Sequence, residues 1–351
     1  MNHTWAVVLA GGDGRRLESL TTGVGGITVP KQYCSLQGGV SLLQSALARA
    51  RAVVPTARLC TVVAAQHRMW RFAQLRSLLD DNVIEQPRNR GTAHGVLLPL
   101  LHILERDPAA TVLLLPADHH VQDEAVFADA LRRTIACACA DPGGVFLLGA
   151  EPDAPETELG YLVPDQEDAR QPARLVEFVE KPSADRARDL VERGALWNTF
   201  IIAASAHALL ALYGPEFAST ILHMKRTIDR RGGPQVRQEF TEWYETLPTR
   251  DFSRDVLEGQ EAHLKMVRLA PCGWSDLGTP QGVAQTLARL PRSTRPTALI
   301  SDAALGLDLA TQHWQVEYAR QSPSNGRAAN GRATNGRAAN GRATNGPPAT
   351  N

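Results

Sequence analysis

Apolar and polar positions follow two alternating rhythms along the first half of the chain. Short apolar runs typical of buried strands are followed by longer amphipathic stretches typical of helices. The predicted strands are Ala6–Ala10, Leu59–Ala65, Val83–Glu85, Thr111–Leu115 and Val145–Gly149. The predicted helices are Ser41–Val53, His67–Leu79, Thr92–Glu105 and Glu124–Ala140. Repeated strand–helix–strand units predict an α/β fold whose mainly parallel sheet is covered by helices on both faces.

The rhythm changes in the second half. Three strand-like segments at 159–164, 173–182 and 197–204 have little helix between the first two. Helical stretches then continue to about Glu258, and residues 263–270 form one more strand-like run. We expect this half to be a substrate-facing extension of the same sheet.

The pattern weakens towards the end of the chain. We predict one catalytic domain over residues 1–290, a short extension over 291–321 and a repeat tail over 322–351. The tail repeats Asn-Gly-Arg-Ala-Ala and Asn-Gly-Arg-Ala-Thr with a period of five residues. Burial of so few apolar groups cannot offset the entropy of ordering, so we predict that the tail is disordered.

Composition describes an ordinary globular protein, with 43% hydrophobic and 21% charged residues among 351. Basic and acidic residues both number 37, but four arginines and no acid lie in residues 321–351. Without those arginines the rest of the chain has 33 basic and 37 acidic residues. A mildly acidic body argues against nucleic acid as a partner.

Cysteine usage points to a reducing compartment. The five cysteines are odd in number and contain no C-x-x-C pair, which argues against structural zinc and a secreted disulfide framework. The N-terminus lacks a signal-peptide pattern, and no run approaches the ~18 apolar residues of a membrane span. We expect a cytoplasmic protein without a membrane partner. Its oligomeric state stays open, a homo-oligomer included.

A glycine loop follows the first predicted strand, at 11–14. Glycines let backbone N–H groups close around a phosphate chain, and Arg15, Arg16 and Lys31 bring positive charge to it. The dinucleotide-binding fingerprint fails because Leu17 stands where it needs glycine, and no Lys-Ser or Lys-Thr completes a P-loop. Taken alone, the loop is also compatible with an ordinary strand-to-helix turn.

Two aspartates are candidate metal ligands. Asp118 directly follows a buried strand, where a carboxylate can bind Mg²⁺ together with phosphate oxygens and water. Adjacent His119 and His120 suggest zinc, but neighbouring side chains point apart and no third ligand follows at a suitable spacing. Asp276, in Gly-Trp-Ser-Asp-Leu-Gly-Thr, would by itself be read as an Asx turn or a helix cap.

Two further motifs are locally ambiguous. Glu180 and Lys181 precede Pro182 at the end of a strand-like run, where a solvated ion pair is the plain interpretation. Gly91 and Thr92 open a predicted helix, whose free N–H groups would suit polar atoms of a base or ribose. A simple glycine-led helix start explains the second motif equally well.

These motifs together resemble a known family. G-G-x-G-x-R-L followed by P-K, then F-V-E-K-P and W-S-D-L-G-T, occur in order from residue 9 to about residue 279. In this the chain is similar to the sugar-1-phosphate nucleotidyltransferases, particularly the mannose-1-phosphate guanylyltransferases. The resemblance implies a Rossmann-like three-layer α/β/α fold with a mainly parallel mixed sheet. It also implies transfer of a nucleoside monophosphate from GTP to mannose-1-phosphate, with release of pyrophosphate.

The resemblance also implies roles for individual residues. Catalytic roles fall to Arg16, Lys31, Asp118 and Lys181. Nucleotide binding falls to Gly11, Gly12, Gly14, Arg15, Gln86, Gly91 and Thr92. Sugar binding falls to Gly160, Glu180 and Asn198, and Mg²⁺ binding to Asp118 and Asp276. The chain departs from the family at Thr199-Phe200, where Ser-Gly or Ala-Gly is usual, so its sugar pocket is expected to differ in shape.

Three other functions compete with this interpretation. Uridylyl- and thymidylyltransferases acting on glucose-1-phosphate share the same motifs. A non-catalytic regulatory relative would be expected to have lost Arg16, Lys31 or one of the aspartates, and all of them are present. A glycosyltransferase commonly needs a D-x-D metal motif, but His120 stands where its second carboxylate would be.

Overall fold

The computed structural model describes residues 3–23, 26–36, 39–165, 172–229 and 233–290. The predicted extension at 291–321 and the predicted disordered tail at 322–351 lie outside the described residues. None of the helices in these ranges has the length and apolar character that crossing a membrane requires.

Within the described ranges, nine strands form one sheet. They are β1 (Thr4–Ala10), β2 (Leu59–Ala64), β3 (Val83–Gln86), β4 (Thr111–Pro116), β5 (Val145–Ala150), β6 (Tyr161–Pro164), β7 (Ala173–Val179), β8 (Leu196–Ser205) and β9 (Leu264–Arg268). Their spatial order is β3-β2-β1-β4-β8-β5-β9-β7-β6. Strands β7 and β8 run opposite to the other seven, which confirms the mainly parallel mixed sheet.

Helices cover both faces of this sheet. They are α1 (Glu18–Thr21), α2 (Leu42–Arg51), α3 (Arg68–Gln74), α4 (Thr92–Arg106), α5 (Glu124–Ala140), α6 (Ala184–Glu192), α7 (Ala206–Ala211), α8 (Ala218–Asp229), α9 (Pro234–Thr246) and α10 (Pro280–Arg289). Successive strand residues point to opposite faces, so Val7 packs into one core with α4, α7 and α8. Val8 packs into a second core with α2 and α5. The three-layer α/β/α prediction is therefore confirmed.

Local sequence signals start two of the longer helices. Ser41 caps α2 in a capping box: Gln44 N–H donates to Ser41 Oγ at 3.1 Å, and Ser41 N–H donates to Gln44 Oε1 at 2.9 Å. Asp123 caps α5, accepting from two backbone N–H groups of its first turn at 3.1 Å each. Both helices consequently begin within a residue or two of their predicted starts.

The helix predicted over His67–Leu79 is wrong at its C-terminal end. The structure ends α3 at Gln74, and the next residue, Leu75, has left the helical region at φ −107° and ψ 6°. A turn closed by Leu78 N–H to Leu75 C=O follows at 3.0 Å, and both leucines are buried. The apolar spacing that looked helical therefore reflects burial of these two leucines by a turn.

The reversed strands determine where the second half of the chain meets the first. Asn198, near the start of β8, pairs with Gly149 at the end of β5. Tyr161, at the start of β6, pairs with both Trp197 of β8 and Val179 at the end of β7. The β6–β7 pair thus rises above the carboxyl edge of the parallel strands, which is where open α/β sheets bind their ligands.

Candidate functional site

The glycine loop at 11–14 follows the carboxyl end of β1, and hydrogen bonds from the Gln32 side chain hold its backbone. The Gln32 amide nitrogen donates to Ala10 C=O at 2.9 Å and to Gly12 C=O at 2.8 Å. Gly14 has a φ of 67°, a left-handed conformation that favours glycine, and a Cβ there would lie 2.9 Å from the Lys31 backbone nitrogen. Gly12 has open space on its Cα. A backbone loop held by Gln32, with three glycines among its four residues, therefore borders a cleft.

This cleft has a volume of about 380 Å³ and runs along the carboxyl edge of the sheet. All of the predicted site residues line it except Arg15 and Lys31. Lys31 lies behind Asp118, in contact with it. The Arg15 side chain is 83% exposed, lies 3.6 Å from Asp13 Oδ2 and does not line the cleft. Its role in nucleotide binding stays a prediction.

Backbone pairing brings the two candidate metal-binding aspartates to the same place. His120 N–H donates to Ser275 C=O at 2.9 Å, and Ser275 N–H donates to His120 C=O at 3.0 Å. Asp118 and Asp276 flank this two-residue bridge, although 158 positions separate them in the sequence, and both line the cleft. The fold thus assembles a pair of carboxylates from the ends of two distant segments.

Lys31 joins the two aspartate segments. Its ammonium lies 3.2 Å from Asp118 Oδ2 and donates to the backbone carbonyl of Asp276. The lysine side chain is 8% exposed, so its charge faces the carboxylate with little screening. Burial by itself would raise the pKa of Asp118, but the Lys31 ammonium and the neighbouring His119 hold it below its usual value. Asp118 is therefore ionised at neutral pH.

His119 is occupied within the protein. Its Nδ1 accepts a hydrogen bond from the Trp274 indole at 3.3 Å, with the two rings edge to face, and burial lowers its pKa to about 4. Within the described residues, no group of three His, Cys, Asp or Glu side chains is arranged to hold a metal. The His119 ring is therefore packed and hydrogen-bonded against Trp274.

Arg16 carries the positive charge of the glycine loop into the cleft. Its guanidinium donates to Glu158 Oε2 at 3.0 Å, and Glu158 lies in the connection between β5 and β6. Both side chains are about half exposed. An exposed pair of this kind contributes little stability, so an anionic ligand can replace the Glu158 carboxylate at small cost.

The other end of the cleft is formed by Gly160, Glu180 and Asn198. Asn198 N–H donates to Gly160 C=O at 2.8 Å. A Cβ on Gly160 would lie 2.6 Å from Glu180 Oε2, so the glycine makes room for this carboxylate as well as for any ligand. Lys181, at a φ of 49°, turns its ammonium back to 3.8 Å from Glu180 Oε1. A carboxylate and an ammonium thus face the same space.

Glu180 holds its proton unusually tightly. Its side chain is 9% exposed, and its pKa is raised to about 7. Burial is the largest cause and the Asp251 carboxylate adds to the rise, while the Lys181 ammonium and a hydrogen bond to Ser253 oppose it. Near neutral pH this group can therefore either donate or accept a hydrogen bond.

The raised pKa predicts a pH-dependent stability difference between wild type and Glu180→Gln. Between about pH 4.5 and pH 7 the unfolded chain releases the Glu180 proton while the folded protein keeps it. The free energy of unfolding should therefore fall in the wild type relative to the variant as pH rises through this window, by at most about 3 kcal/mol, and no further above it. Denaturant titrations at several pH values measure this difference.

Asp251→Asn supplies the internal control for that experiment. Removing the Asp251 charge should lower the pKa of Glu180 and move the upper limit of the window to lower pH. A difference between wild type and Glu180→Gln that stays constant from pH 4.5 to pH 7 would contradict the raised pKa.

Thr199 and Phe200, where the chain departs from the family pattern, lie in a bulge of β8. Between the Leu147–Ile202 pair and the Gly149–Asn198 pair, β8 contains two more residues than β5. The bulge interrupts the backbone hydrogen bonds between β5 and β8. The Thr199 hydroxyl makes hydrogen bonds there, donating to Leu148 C=O at 2.6 Å and accepting from Ile201 N–H at 3.3 Å. The bulge therefore replaces lost backbone pairing with side-chain hydrogen bonds.

Phe200 lies at the tip of this bulge with a φ of 58°, a region that bulky residues rarely adopt. Its N–H donates to Asn198 Oδ1 at 3.0 Å, and its ring packs edge to face on Phe252 at 5.8 Å. The side-chain oxygen of Asn198 is therefore hydrogen-bonded within the protein. Its side-chain NH₂ group can donate to a ligand in the cleft. The phenylalanine ring forms part of the cleft wall.

Comparing two substitutions at Phe200 tests this backbone conformation. Phe200→Gly and Phe200→Ala both remove the ring, but only glycine adopts a positive φ without strain. We expect the glycine variant to be more stable than the alanine variant by about 1 kcal/mol, the cost of left-handed backbone for an L-residue. Thermal or denaturant unfolding measures the difference. The reverse order of stabilities would show that residue 200 does not hold this conformation.

The prediction of free N–H groups at the start of α4 is wrong for two of them. Gly91 N–H donates to Asn89 Oδ1 at 3.0 Å, and Ala93 N–H donates to Arg250 C=O at 3.1 Å. A Cβ on Gly91 would collide with the Arg250 backbone. The segment before the short π-helix at Ser253–Leu257 packs across this helix end and satisfies its donors. Gly91 therefore serves close packing here.

That same segment supplies cleft residues that sequence reasoning missed. Asp251 and Ser253 line the cleft beside Glu180. Asp251 Oδ2 accepts from the Thr92 hydroxyl at 3.3 Å, and that hydroxyl accepts from Phe252 N–H at 2.7 Å. The only sequence signal was a short polar run between helical stretches, which is common on protein surfaces. Tertiary packing alone brings it to the cleft.

Comparisons with known proteins agree with this geometry. Mannose-1-phosphate guanylyltransferase ManC of Salmonella typhimurium is 30% identical over 300 residues, covering 82% of this chain and 60% of that protein. Mannose-1-phosphate guanylyltransferase of Escherichia coli is 30% identical over 289 residues, covering 78% and 58%. The chain therefore spans about 60% of the length of these two relatives.

A solved structure and a family pattern extend the comparison. The crystal structure of mannose-1-phosphate geranyltransferase from Thermus thermophilus aligns with a TM-score of 0.66 and 26% identity, covering 82% of this chain and 80% of that one. The sequence pattern of the nucleotidyl transferase family matches residues 5–292, from β1 through α10. Because that match extends over most of the chain and includes every element that borders the cleft, this protein belongs to the nucleotidyl transferase family.

Proposed function

We propose that this protein transfers a guanylyl group from GTP to mannose-1-phosphate, giving GDP-mannose and pyrophosphate. The observation that carries the proposal is that Asp118 and Asp276, joined from behind by Lys31, line one cleft that continues to Glu180 and Lys181. A site for phosphate chemistry thus adjoins a site for a sugar phosphate. The names of the similar proteins support GTP and mannose-1-phosphate over the uridylyl and thymidylyl alternatives.

The chemistry places a specific demand on the site. A phosphate oxygen of the sugar-1-phosphate attacks the α-phosphorus of GTP, the bond from that phosphorus to the bridging oxygen breaks, and pyrophosphate leaves. Two unit negative charges ~4 Å apart repel by about 4 kcal/mol at an effective dielectric constant of 20, and these reactants carry several charges each. The site therefore needs cations above all, to offset the repulsion between the two anionic reactants.

The cations of the cleft suit this demand. Arg16 lies beside the glycine loop, where it would bind the triphosphate, and Lys181 lies at the sugar end, where it would bind the attacking phosphate. Lys31 fixes the Asp118 and Asp276 segments from behind. Since the nucleophile is already ionised at neutral pH, no general base is needed, and positioning with charge stabilisation is sufficient.

The two aspartates fit a magnesium ion. Mg²⁺ prefers oxygen ligands and is usually bound by one or two carboxylates with phosphate oxygens and water. Asp118 is ionised and 38% exposed, and Asp276 lines the same cleft, so both can present oxygen to a shared ion. When bound there, Mg²⁺ would neutralise charge on the phosphates of GTP. We therefore propose Mg²⁺ as the cofactor, held by Asp118 and Asp276.

The cysteines support a reducing location. All five are free thiols, and Cys34, Cys60 and Cys272 are buried. We propose that the protein works in the cytoplasm, where GTP and sugar phosphates are available to it.

A matrix of substrates tests the proposed reaction. The full chain is incubated with Mg²⁺ and each combination of GTP, UTP, dTTP and ATP with mannose-1-phosphate and glucose-1-phosphate, and pyrophosphate release is followed. We expect the fastest release with GTP and mannose-1-phosphate, and GDP-mannose as the product by mass spectrometry. Faster turnover with UTP or dTTP and glucose-1-phosphate would replace the proposed substrates. No release in any combination would overturn the proposed activity.

A further inference from the structure

Gln86 ends β3 and points into the cleft, but it is held by a distant residue. The side chain is buried at 2% exposure and lines the cleft. The Tyr244 hydroxyl donates to Gln86 Oε1 at 3.1 Å. Tyr244 is fully buried in α9, 158 positions away in the sequence, and does not line the cleft. The contact therefore links a cleft residue to the core behind it.

Gly11 leaves room for the Gln86 amide beside the glycine loop. A Cβ on Gly11 would collide with the Gln86 amide nitrogen, and a Cβ on Gly95 would lie 3.6 Å from its oxygen. The amide thus lies between the glycine loop and α4, with its NH₂ group on the loop side. Rotating it by half a turn would leave the buried Tyr244 O–H without an acceptor, which is unfavourable. Burial also raises the pKa of Tyr244, so this hydroxyl keeps its proton.

The order of the strands indicates which part of a nucleotide would meet Gln86. The glycine loop and Asp118 end β1 and β4, and the sugar end of the cleft lies over β8 and β6 on one side of them. β2 and β3 lie on the other side of β1. Gln86 ends β3 on that side, and its amide reaches back across β2 to Gly11, at the start of the glycine loop. This position suits contact with the nucleoside part of a nucleotide whose phosphates rest on the glycine loop.

We propose that Tyr244 is a positioning residue that fixes the Gln86 amide with its NH₂ group towards the base. The cleft then selects bases that offer a carbonyl acceptor, and disfavours bases that offer an amino donor at the same position. Guanine, hypoxanthine, uracil and thymine have such a carbonyl, whereas adenine and cytosine have an amino group. The inference rests on the proposed nucleotidyl transfer, and it adds the chemical feature of the base that is recognised and the residue that enforces it.

Tyr244→Phe is the direct test, because it removes one hydroxyl and keeps the packed ring. The kcat/KM values are measured for GTP, ITP, ATP and 2-aminopurine riboside triphosphate, which lacks the 6-oxygen of GTP. Wild type should prefer GTP and ITP over the other two. In the variant the preference for GTP over the 2-aminopurine nucleotide should fall about tenfold, through a higher KM for GTP. An unchanged preference in a folded, active Tyr244→Phe protein would overturn the inference.

Tyr213→Phe is the matched control. Tyr213 is also buried in the same core, but its hydroxyl donates to Ala93 C=O at 2.8 Å and not to Gln86. Its loss should cost similar stability and leave the preference among nucleotides unchanged. An equal fall in preference in both variants would show that general loosening of the core, and not the Gln86 contact, is responsible.

Gln86→Glu provides a converse result that does not depend on Tyr244 substitutions folding. The Tyr244 hydroxyl still has an acceptor in this variant, but an acceptor replaces the NH₂ donor towards the base. Relative binding of ATP over GTP should rise about tenfold or more. Unchanged relative binding would exclude the proposed contact between Gln86 and the base.

Direct titration calorimetry separates this inference from the proposed reaction. If wild type binds GTP more tightly than ATP but transfers no guanylyl group to any sugar phosphate, the proposed reaction fails. The positioning role of Tyr244 is then tested by comparing the affinities of wild type and Tyr244→Phe for GTP and ATP. If wild type is active and its binding preference is the same in Tyr244→Phe, the reaction stands and the positioning role fails.

Discussion

Asp118→Asn and Asp276→Asn should each lower turnover by about a hundredfold or more while leaving the fold intact. Each change replaces one carboxylate oxygen by an NH₂ group of nearly equal size. A bound metal ion supplies several kcal/mol of charge stabilisation in the transition state, and that contribution is weakened when a negatively charged ligand is lost. Steady-state pyrophosphate release at saturating GTP and sugar phosphate measures the effect, and melting temperature reports the fold.

The position of Lys31 makes the two variants informative in different ways. Lys31 contacts the carboxylate of Asp118 but only the backbone carbonyl of Asp276. Asp118→Asn therefore also removes an ion pair, whereas Asp276→Asn removes only the carboxylate charge. We expect stability to change in the first variant and to stay nearly constant in the second.

Asp129→Asn is the control for both aspartate variants. Asp129 lies exposed on α5 in an i,i+3 pair with Arg132 and does not line the cleft. Its turnover should equal that of wild type. Near-normal turnover of Asp118→Asn or Asp276→Asn at saturating Mg²⁺ would remove that residue from the metal site.

Lys181→Ala and Arg16→Ala should weaken the binding of different substrates. Lys181 lies beside Glu180 at the sugar end of the cleft, whereas Arg16 lies beside the glycine loop. A hydrogen bond to a charged group contributes about 1.5–3 kcal/mol, which corresponds to roughly a ten- to hundredfold change in affinity. Lys181→Ala should lose this affinity for sugar-1-phosphate and Arg16→Ala for nucleoside triphosphate, as titration calorimetry with each ligand alone can show.

Both residues are substantially exposed, so neither variant should unfold. Lys225→Ala, on the exposed side of α8, controls for the loss of one positive charge from the whole protein. Equal losses of affinity for both ligands in Lys181→Ala would contradict the division of the cleft into a nucleotide end and a sugar end.

Much of the first half of the fold was predictable because its signals are local. The apolar runs that end at Ala10 and Leu115 are buried on both faces of the sheet, and such runs have few alternatives to a central strand. Ser41 and Asp123 mark helix starts through hydrogen bonds to their own first turns. Where an apolar pattern had two possible explanations, as after α3, the sequence favoured the helix and the structure formed a turn.

The sequence by itself determined the strand–helix order, the glycine loop and the identity of the residues that gather at the carboxyl edge. Only the tertiary structure decided which of them face one another. Asp118 and Asp276 meet through the His120–Ser275 bridge, and Gln86 is oriented by Tyr244. Contacts across so many positions depend on how the whole sheet packs, because a strand or a helix fixes only the direction of its own side chains. The same reason explains why Arg16 lines the cleft and neighbouring Arg15 does not, and why a donor of α4 is satisfied by Arg250 C=O.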